Sequence, residues 1–349
     1  MEIFETMAHK GHDQLVFWSD VANGYRGIIA IHDTTLGPAL GGTRFWNYGS
    51  EEEAITDVLR LSRGMTYKAA ITGLALGGGK SVIIGDHHTT EREAIFRAHG
   101  RAIDSLGGRY ITAADVGTSI DDMEYLRKET QWVTGLRGRS GDPAPITAFG
   151  VCRGMKACAR FRYGEESLEG RYVVVQGLGR VGYHLCQYLA EEGARLSVSD
   201  IEDDRVQKVV TDFGATAVAP DDVYGTCADI FSPCALGAVI NDDTLDALKV
   251  DIIAGSANNQ LAEPRHGQAL HEKGIVYAPD YVINAGGICS VYGELEGWTA
   301  ERSMEKAGGI YECLFEVLGH ALAEHIPTSQ AAEIMARQRI AEARRVRDS

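Results

Sequence analysis

Residues 172–176 read Tyr-Val-Val-Val-Gln and run directly into Gly177-Leu-Gly179-Arg-Val-Gly182, after which the sequence becomes helix-forming. A β-branched run bounded by glycine predicts a short buried strand, and the glycines predict a tight turn into a helix. The first glycine permits the turn, the second lets a ligand's pyrophosphate approach the backbone, and the third lets helix pack on strand. Alone the glycine spacing is a weak signal. Here a second strand candidate at 196–199 ends in Asp200, a helical pattern covers 203–213, and further strand candidates lie at 229–232, 251–254 and 274–278. Strands alternating with helices imply a doubly wound parallel sheet of the Rossmann type.

The first part of the chain reads as mixed α/β. Short β-like runs at 15–18 and 27–32 precede a turn-rich stretch, TTLGPALGGT. Ala54, Val58, Leu61 and Met65 then recur at near-helical spacing behind Ser50, a suitable N-cap. Strand candidates at 81–84 and 109–112 flank a helix over about 91–106. The segment RGRSGDPAPIT, residues 137–147, reads as a hinge or as a loop entering a new helix. A long helix is expected over 300–325, then Pro327 and a terminal helix. Its Arg337, Arg339, Arg344, Arg345 and Arg347 read as a solvated face with cations favoured near the C-terminal end. A chain of 349 residues can hold two cores. The expected domains are 1–140 and 141–327.

Composition excludes several function classes. A net charge of −15 argues against general binding to nucleic acid, although a local cationic pocket can still sit on an acidic protein. The seven cysteines (152, 158, 186, 227, 234, 289, 313) form no Cys-x-x-Cys pair, so neither a disulfide framework nor a zinc knuckle is expected. The N-terminus MEIFETMAHKGHD lacks the apolar stretch of a signal peptide, and no apolar run reaches the roughly 18 residues of a membrane helix. A cytoplasmic protein without membrane partners is expected.

Gly177, Gly179, Arg180, Val181 and Gly182 form the candidate nucleotide turn, with the pyrophosphate at the positive end of the following helix. Asp200 lies 18 residues past Gly182, where a carboxylate can accept from both ribose hydroxyls. It would repel a 2′-phosphate, and Ile201, Glu202, Asp203 and Asp204 offer no compensating cation, so NAD is favoured over NADP. Arg205 is the nearby exception. Cys234 and Ala235, then Ser256 and Asn258, fall just after strand candidates, at the sheet edge where ligands bind. Asn258 and Asn284 can hydrogen-bond the nicotinamide amide or its ribose. The alternatives are a glycine turn without nucleotide and polar residues that merely close strand ends.

A second glycine cluster, Gly77-Gly78-Gly79-Lys80, lies twelve residues after Lys68. Bare backbone lets a small substrate come close, and a desolvated lysine near a second ammonium gives up its proton readily. One lysine can hold an anion while the other moves protons. A phosphate-binding P-loop would need glycine at position 74, which is Leu. Asp115, after a strand candidate, can shuttle protons with a substrate amine; the alternative is an ordinary N-cap or turn. Cys289 has no histidine nearby in sequence and reads as a buried apolar cysteine. His87-His88 reads as a surface turn, and no metal site is expected.

GPALGGTR, LSRGMTYKAAITGLALGGGKSVIIGD, ITAADVGTS, GDPAPITAFGV, QGLGRVG, IIAGSANNQL and PDYVINAGG, in this order over nearly the whole chain, resemble the glutamate/leucine/phenylalanine/valine dehydrogenases. The resemblance is greatest to the branch that acts on leucine. It implies an N-terminal substrate domain, a C-terminal NAD domain, a cleft between them, and a terminal helix (about 328–349) packed back on the first domain. Lys68 would pair with the substrate carboxylate, Gly41 and Gly42 would line that end, and Thr147 would contact the nicotinamide. Lys80 would be the general base and Asp115 would exchange protons with the amino group. Leu40, Ala113 and Val291 would wall an apolar side-chain pocket that offers a glutamate side chain no charge partner. The implied reaction is reversible oxidative deamination of a branched-chain amino acid to its 2-oxo acid and ammonia. Ser290 and Tyr292 depart from the leucine pattern, which keeps an aromatic substrate open. The resemblance also implies a homo-oligomer, often an octamer, although dimers occur.

Two other classes compete. A 2-hydroxy-acid dehydrogenase calls for a histidine base and an arginine clamp, which the lysine-rich segment does not supply. An NAD-binding module without chemistry has no use for Lys68, Lys80 and Asp115 together.

Overall fold

The computed structural model describes residues 2–138 and 142–348. It divides into two units, one of Met1–Gly141, Glu294–Gly297 and Ala336–Ser349, the other of Asp142–Gly293 and Trp298–Met335. No helix among the described residues is long and apolar enough to cross a membrane.

Unit 1 is built on a mixed sheet of β1 (Gln14–Asp20), β2 (Tyr25–Asp33), β3 (Ala39–Leu40), β4 (Thr43–Trp46), β5 (Gly77–Ile84) and β6 (Tyr110–Ile111), in the order β1-β2-β5-β3-β6 with β4 also paired to β5. β2 runs antiparallel to β1 and β5, whereas β3 and β4 run parallel to β5. Side chains alternate across a strand. One face of the sheet therefore presents Ile28, Ala30, Val82 and Ile84, which pack with Ala54, Ile55, Val58 and Leu59 of α2 (Glu51–Ile71). Ile3 and Met7 of α1 (Ile3–Lys10) join that cluster. The opposite face presents Ile29, Ile31, Phe45 and Ile83 to Phe96 of α3 (Arg92–Asp104) and Met123 of α4 (Ile120–Arg127). Ser50 caps α2, its Oγ accepting from the Glu53 amide at 3.1 Å. Ser119, not Asp115, caps α4.

The turn-rich reading of TTLGPALGGT needs correction, because the segment holds β3 and the start of β4. Both strands lack the apolar alternation by which a strand is recognised, and they exist by pairing with β5. The arginine-rich terminal helix, Thr328–Asp348, also differs from expectation. Arg344 donates to Asp33 Oδ2 at 2.6 Å, and Arg339 donates to the Ala70 and Ile71 carbonyls that end α2. Arg339 thus satisfies orphan acceptors of a helix end and Arg344 pairs with a strand carboxylate, whereas Arg337, Arg345 and Arg347 are exposed as expected.

Unit 2 carries a fully parallel sheet of β7 (Tyr172–Gln176), β8 (Arg195–Ser199), β9 (Thr216–Ala217), β10 (Ile230–Pro233), β11 (Ile252–Ile253) and β12 (Val276–Tyr277). Its order is β12-β11-β10-β7-β8-β9, so winding reverses between β7 and β10, where such sheets open a ligand crevice. Helices α5 (Ala144–Tyr163), α6 (Arg180–Glu191) and α7 (Asp203–Phe213) belong to this unit. The single helix expected over 300–325 is two, Ala300–Gly308 and Ile310–Glu324. Its interruption falls at Gly308-Gly309, where neither residue favours a continuous helix.

Candidate active site

Lys80 stands on β5 on the α2 side of the sheet, 6% exposed, with its Nζ 2.8 Å from Asp115 Oδ2. The preceding glycines are demanded by packing rather than by a phosphate. A Cβ on Gly78 would stand 2.1 Å from the Thr66 amide of α2, and one on Gly79 would stand 2.6 Å from the Tyr110 ring. Helix α2 therefore lies directly on β5. It carries Lys68, half-buried, two residues beyond Thr66.

The Gly41-Gly42 backbone completes this corner. A Cβ on Gly41 would meet the Gly79 carbonyl at 1.8 Å, and one on Gly42 would meet Asp115 Cβ at 2.9 Å. Leu40 is 2% exposed in β3, and Ala113 is half-buried and accepts from the Thr43 amide at 2.8 Å. The structure thus brings together Leu40, Gly41, Gly42, Lys80, Ala113 and Asp115, which are scattered over seventy-five positions of sequence.

Two groups that sequence reasoning missed support them. The Tyr110 hydroxyl donates to the Gly41 carbonyl at 2.6 Å. It also reaches Ser81 Oγ, in a buried cluster where the Thr43 and Ser81 hydroxyls meet His99, Thr112 bonds to Thr43, and His99 is itself bonded to Tyr25. Burial pushes His99 down to about 3, so it serves as a neutral ring. Arg44, on β4, places Nε 3.1 Å from Asp115 Oδ2 and Nη1 2.8 Å from Asp57 Oδ2. Burial alone would raise the Asp115 carboxyl, but Lys80 and then Arg44 outweigh it and hold the group below its ordinary value. No sequence signal marked Arg44, because Thr43-Arg44-Phe45-Trp46 lacks apolar alternation and the glycines before it read as a turn.

In unit 2 the glycine turn has the geometry its spacing implies. Gly177 has φ +96°, and a Cβ there would meet Ala235 at 2.6 Å. A Cβ on Gly182 would meet the Gly177 carbonyl at 2.0 Å, whereas the same position on Gly179 faces open space. First and third glycines are closed by packing, and the middle one leaves room for a ligand, which fits a dinucleotide pyrophosphate. Asp200 accepts from the Leu178 amide at 2.6 Å and the Glu202 amide at 3.0 Å, with Arg205 at 3.6 Å. The carboxylate thus holds the turn and keeps further lone pairs for a ribose.

The other nucleotide candidates are placed as follows. Arg180 and Val181 open α6, Arg180 pairing with Asp142 at 2.5 Å, and Ile201 is 85% exposed. Cys234 is half-buried beside Ala235 at the end of β10. Asn284 donates to the Ser256 carbonyl at 3.1 Å and to Asn258 Oδ1 at 2.8 Å. Thr147 lies in the first turn of α5 beside Gly286 and Gly287. Val291 and Tyr292 are half-buried on the helix Gly286–Leu295, Tyr292 edge-on to Trp298, while Ser290 and Cys289 are buried. His87 stacks on Trp46, and among the described residues no cluster of three or more His, Cys, Asp or Glu could hold a metal.

The chain can now be set against known proteins. The Glu/Leu/Phe/Val dehydrogenase dimerisation-domain model matches residues 12–132, and the Glutamate/Leucine/Phenylalanine/Valine dehydrogenase model matches residues 198–348. A leucine dehydrogenase of Geobacillus stearothermophilus is 56% identical, covering 99% of this chain and 95% of that protein. A phenylalanine dehydrogenase of Bacillus thermotolerans is 48% identical, covering 97% and 90%. The crystal structure of L-tryptophan dehydrogenase from Nostoc punctiforme matches with a TM-score of 0.89 at 45% identity, covering 98% of this chain and 99% of that one. On matches that span both units, the chain belongs to the glutamate/leucine/phenylalanine/valine dehydrogenase family.

Proposed function

We propose that this enzyme oxidatively deaminates branched-chain aliphatic L-amino acids with NAD, reversibly, using Lys80 and Asp115. The observation that carries the assignment of residues is the 2.8 Å pair between the buried Lys80 Nζ and the half-buried Asp115 Oδ2, set among the backbone of Gly41, Gly42 and Gly79. The reaction class is supported by leucine dehydrogenases 54–56% identical over nearly the full chain, the aromatic-acting relatives being more distant.

In the proposed mechanism Lys68 pairs with the substrate carboxylate and Asp115 accepts a proton from the substrate ammonium. A bound nicotinamide, held through Gly177, Gly179, Gly182, Asp200, Asn258, Asn284 and Thr147, would supply the oxidation by taking the Cα hydrogen with its electron pair. Lys80 then accepts a proton from the water that attacks the resulting iminium carbon. Lys80 passes that proton to solvent and Asp115 returns a proton to the nitrogen. Lys80 takes the carbinol hydroxyl proton as the C–N bond breaks; ammonia leaves with the 2-oxo acid and is protonated in solvent. Amino acid, NAD and water thus give 2-oxo acid, ammonium, NADH and a proton. Leu40, Ala113 and Val291 are the proposed side-chain contacts, and their apolar surface favours an aliphatic group. A cytoplasmic homo-oligomer is part of this reading, checked by light scattering on the purified protein.

The decisive measurement is NADH absorbance with a panel of L-amino acids and 2-hydroxy acids. Turnover should be fastest with leucine, valine or isoleucine. Phenylalanine or tryptophan preferred would move the side-chain assignment, and turnover of 2-hydroxy acids alone would overturn the chemistry.

A further inference from the structure

The Lys80–Asp115 pair has a third member. Arg44 Nε and Lys80 Nζ both reach the same oxygen of Asp115, Oδ2, at 3.1 and 2.8 Å. Arg44 is itself held from behind, Nη1 lying 2.8 Å from Asp57 Oδ2 on α2. Asp57 accepts there from the Tyr48 hydroxyl at 2.8 Å and, on Oδ1, from Arg60 at 3.1 Å. From below, Asp115 is anchored through its backbone, the amide donating to Thr118 Oγ1 at 2.8 Å and the carbonyl accepting from the Thr118 amide at 3.1 Å. A carboxylate on a loop would otherwise rotate about its side-chain bonds. Two cations on one oxygen stop that rotation and leave Oδ1 without a hydrogen-bond partner among the described residues.

We propose that Arg44 is a positioning residue: anchored on Asp57, it pins Asp115 Oδ2 so that Oδ1 faces the substrate's amino group. The inference rests on the reading of Asp115 as the proton carrier for that amine. Arg44 acts through Asp115 and does not touch the reacting atoms. A guanidinium suits the task because its planar fork reaches two carboxylates in fixed directions, which a lysine ammonium does not. It also offsets the carboxylate's charge as Lys80 experiences it. The charged and titratable groups around Asp115 are Lys80 on β5, Arg44 on β4 and Tyr110 on β6, with Asp57, Tyr48 and Arg60 behind Arg44.

The test is steady-state oxidation of L-leucine over a range of pH by the wild type and by Arg44→Gln, Arg44→Lys and Asp57→Asn. Displacing a proton-transfer group by a fraction of an ångström should lower kcat of Arg44→Gln roughly ten- to a hundred-fold, with KM for NAD within about two-fold of wild type. The acid limb of its kcat/KM profile should move to higher pH, because Asp115 loses one of the two cations that hold its carboxyl below the ordinary value. Arg44→Lys should restore the limb but not kcat, separating charge from geometry. Asp57→Asn, which keeps the guanidinium and loosens its anchor, should lower kcat in the same direction by less, and it keeps the idea testable if Arg44→Gln folds poorly. An active wild type with unchanged kcat and pH profile in Arg44→Gln would overturn the role of Arg44 alone. So would full recovery of kcat in Arg44→Lys. A wild type inactive on every L-amino acid would overturn the reaction itself and this inference with it.

Discussion

At the scale of single residues the two lysines are expected to separate by kinetics. Lys80→Ala should lower kcat by about a thousand-fold, within the range lost when a general base is removed, while NAD still binds. An equal loss of NAD affinity would show instead that Lys80 supports the fold. Lys68→Ala should chiefly raise KM for the amino acid, since a carboxylate contact is made equally in ground and transition states. Asp200→Ala should narrow the ratio of NAD to NADP turnover. It should also weaken both cofactors, because the Leu178 and Glu202 amides lose their acceptor. An unchanged ratio would contradict the ribose role. Lys80 stood out in sequence because glycine and strand context marks it locally, whereas Asp115 read equally as a cap or turn and was singled out by the family resemblance. Tyr110 and Arg44 did not stand out, because their partners lie 69 and 71 positions away.

At the scale of elements, α4 matters because its first residues follow the loop that carries Asp115. Ser119 Oγ accepts from the Asp122 amide at 3.3 Å, and Asp122 returns the bond to the Ser119 amide at 2.7 Å. The same carboxylate, 1% exposed, takes both arms of Arg92 at 2.6 and 2.8 Å. Ser119→Ala should cost about 1 kcal/mol, the usual worth of an N-cap. Asp122→Ala should cost about 3 kcal/mol, because it also strands a guanidinium in a partly buried pair. Urea denaturation of the two variants checks this, and equal losses would show that the Arg92 pair contributes nothing. Helix α2, β7 and α6 were readable from periodicity and glycine spacing, which are local properties. The two-residue strand β3 was not, because a segment that short owes its conformation to the strand beside it.

At the scale of the whole molecule, several buried histidines set the acid limit of stability. Burial lowers His12 from 6.5 to about 4, lowers His32, and lowers His99 to about 3. In the unfolded chain each takes up its proton near the ordinary value, whereas the folded chain does so only at lower pH. The stability that these rings contribute is therefore fully present above about 6.5 and is lost as pH drops from there toward about 4. The melting temperature, followed calorimetrically, should decline across that interval. A constant melting temperature across it would mean that these rings take up protons without unfolding.

The sequence by itself determined the parts whose cause is local. The order of apolar runs and glycines dictated a parallel sheet with a tight glycine turn, since strand runs, helical periodicity and the positive φ of Gly177 are properties of neighbouring residues. The lysine at the end of a glycine strand was likewise visible as chemistry awaiting a substrate. Tertiary structure alone decided how that chemistry is held. Pairing of β3 and β4 with β5 brings Gly41 against Gly79 and Arg44 onto Asp115, and the terminal helix closes the end of α2 through Arg339. Such contacts join segments far apart in the chain, and no local preference encodes them; they appear only when the sheet forms and burial makes each unpaired polar group costly.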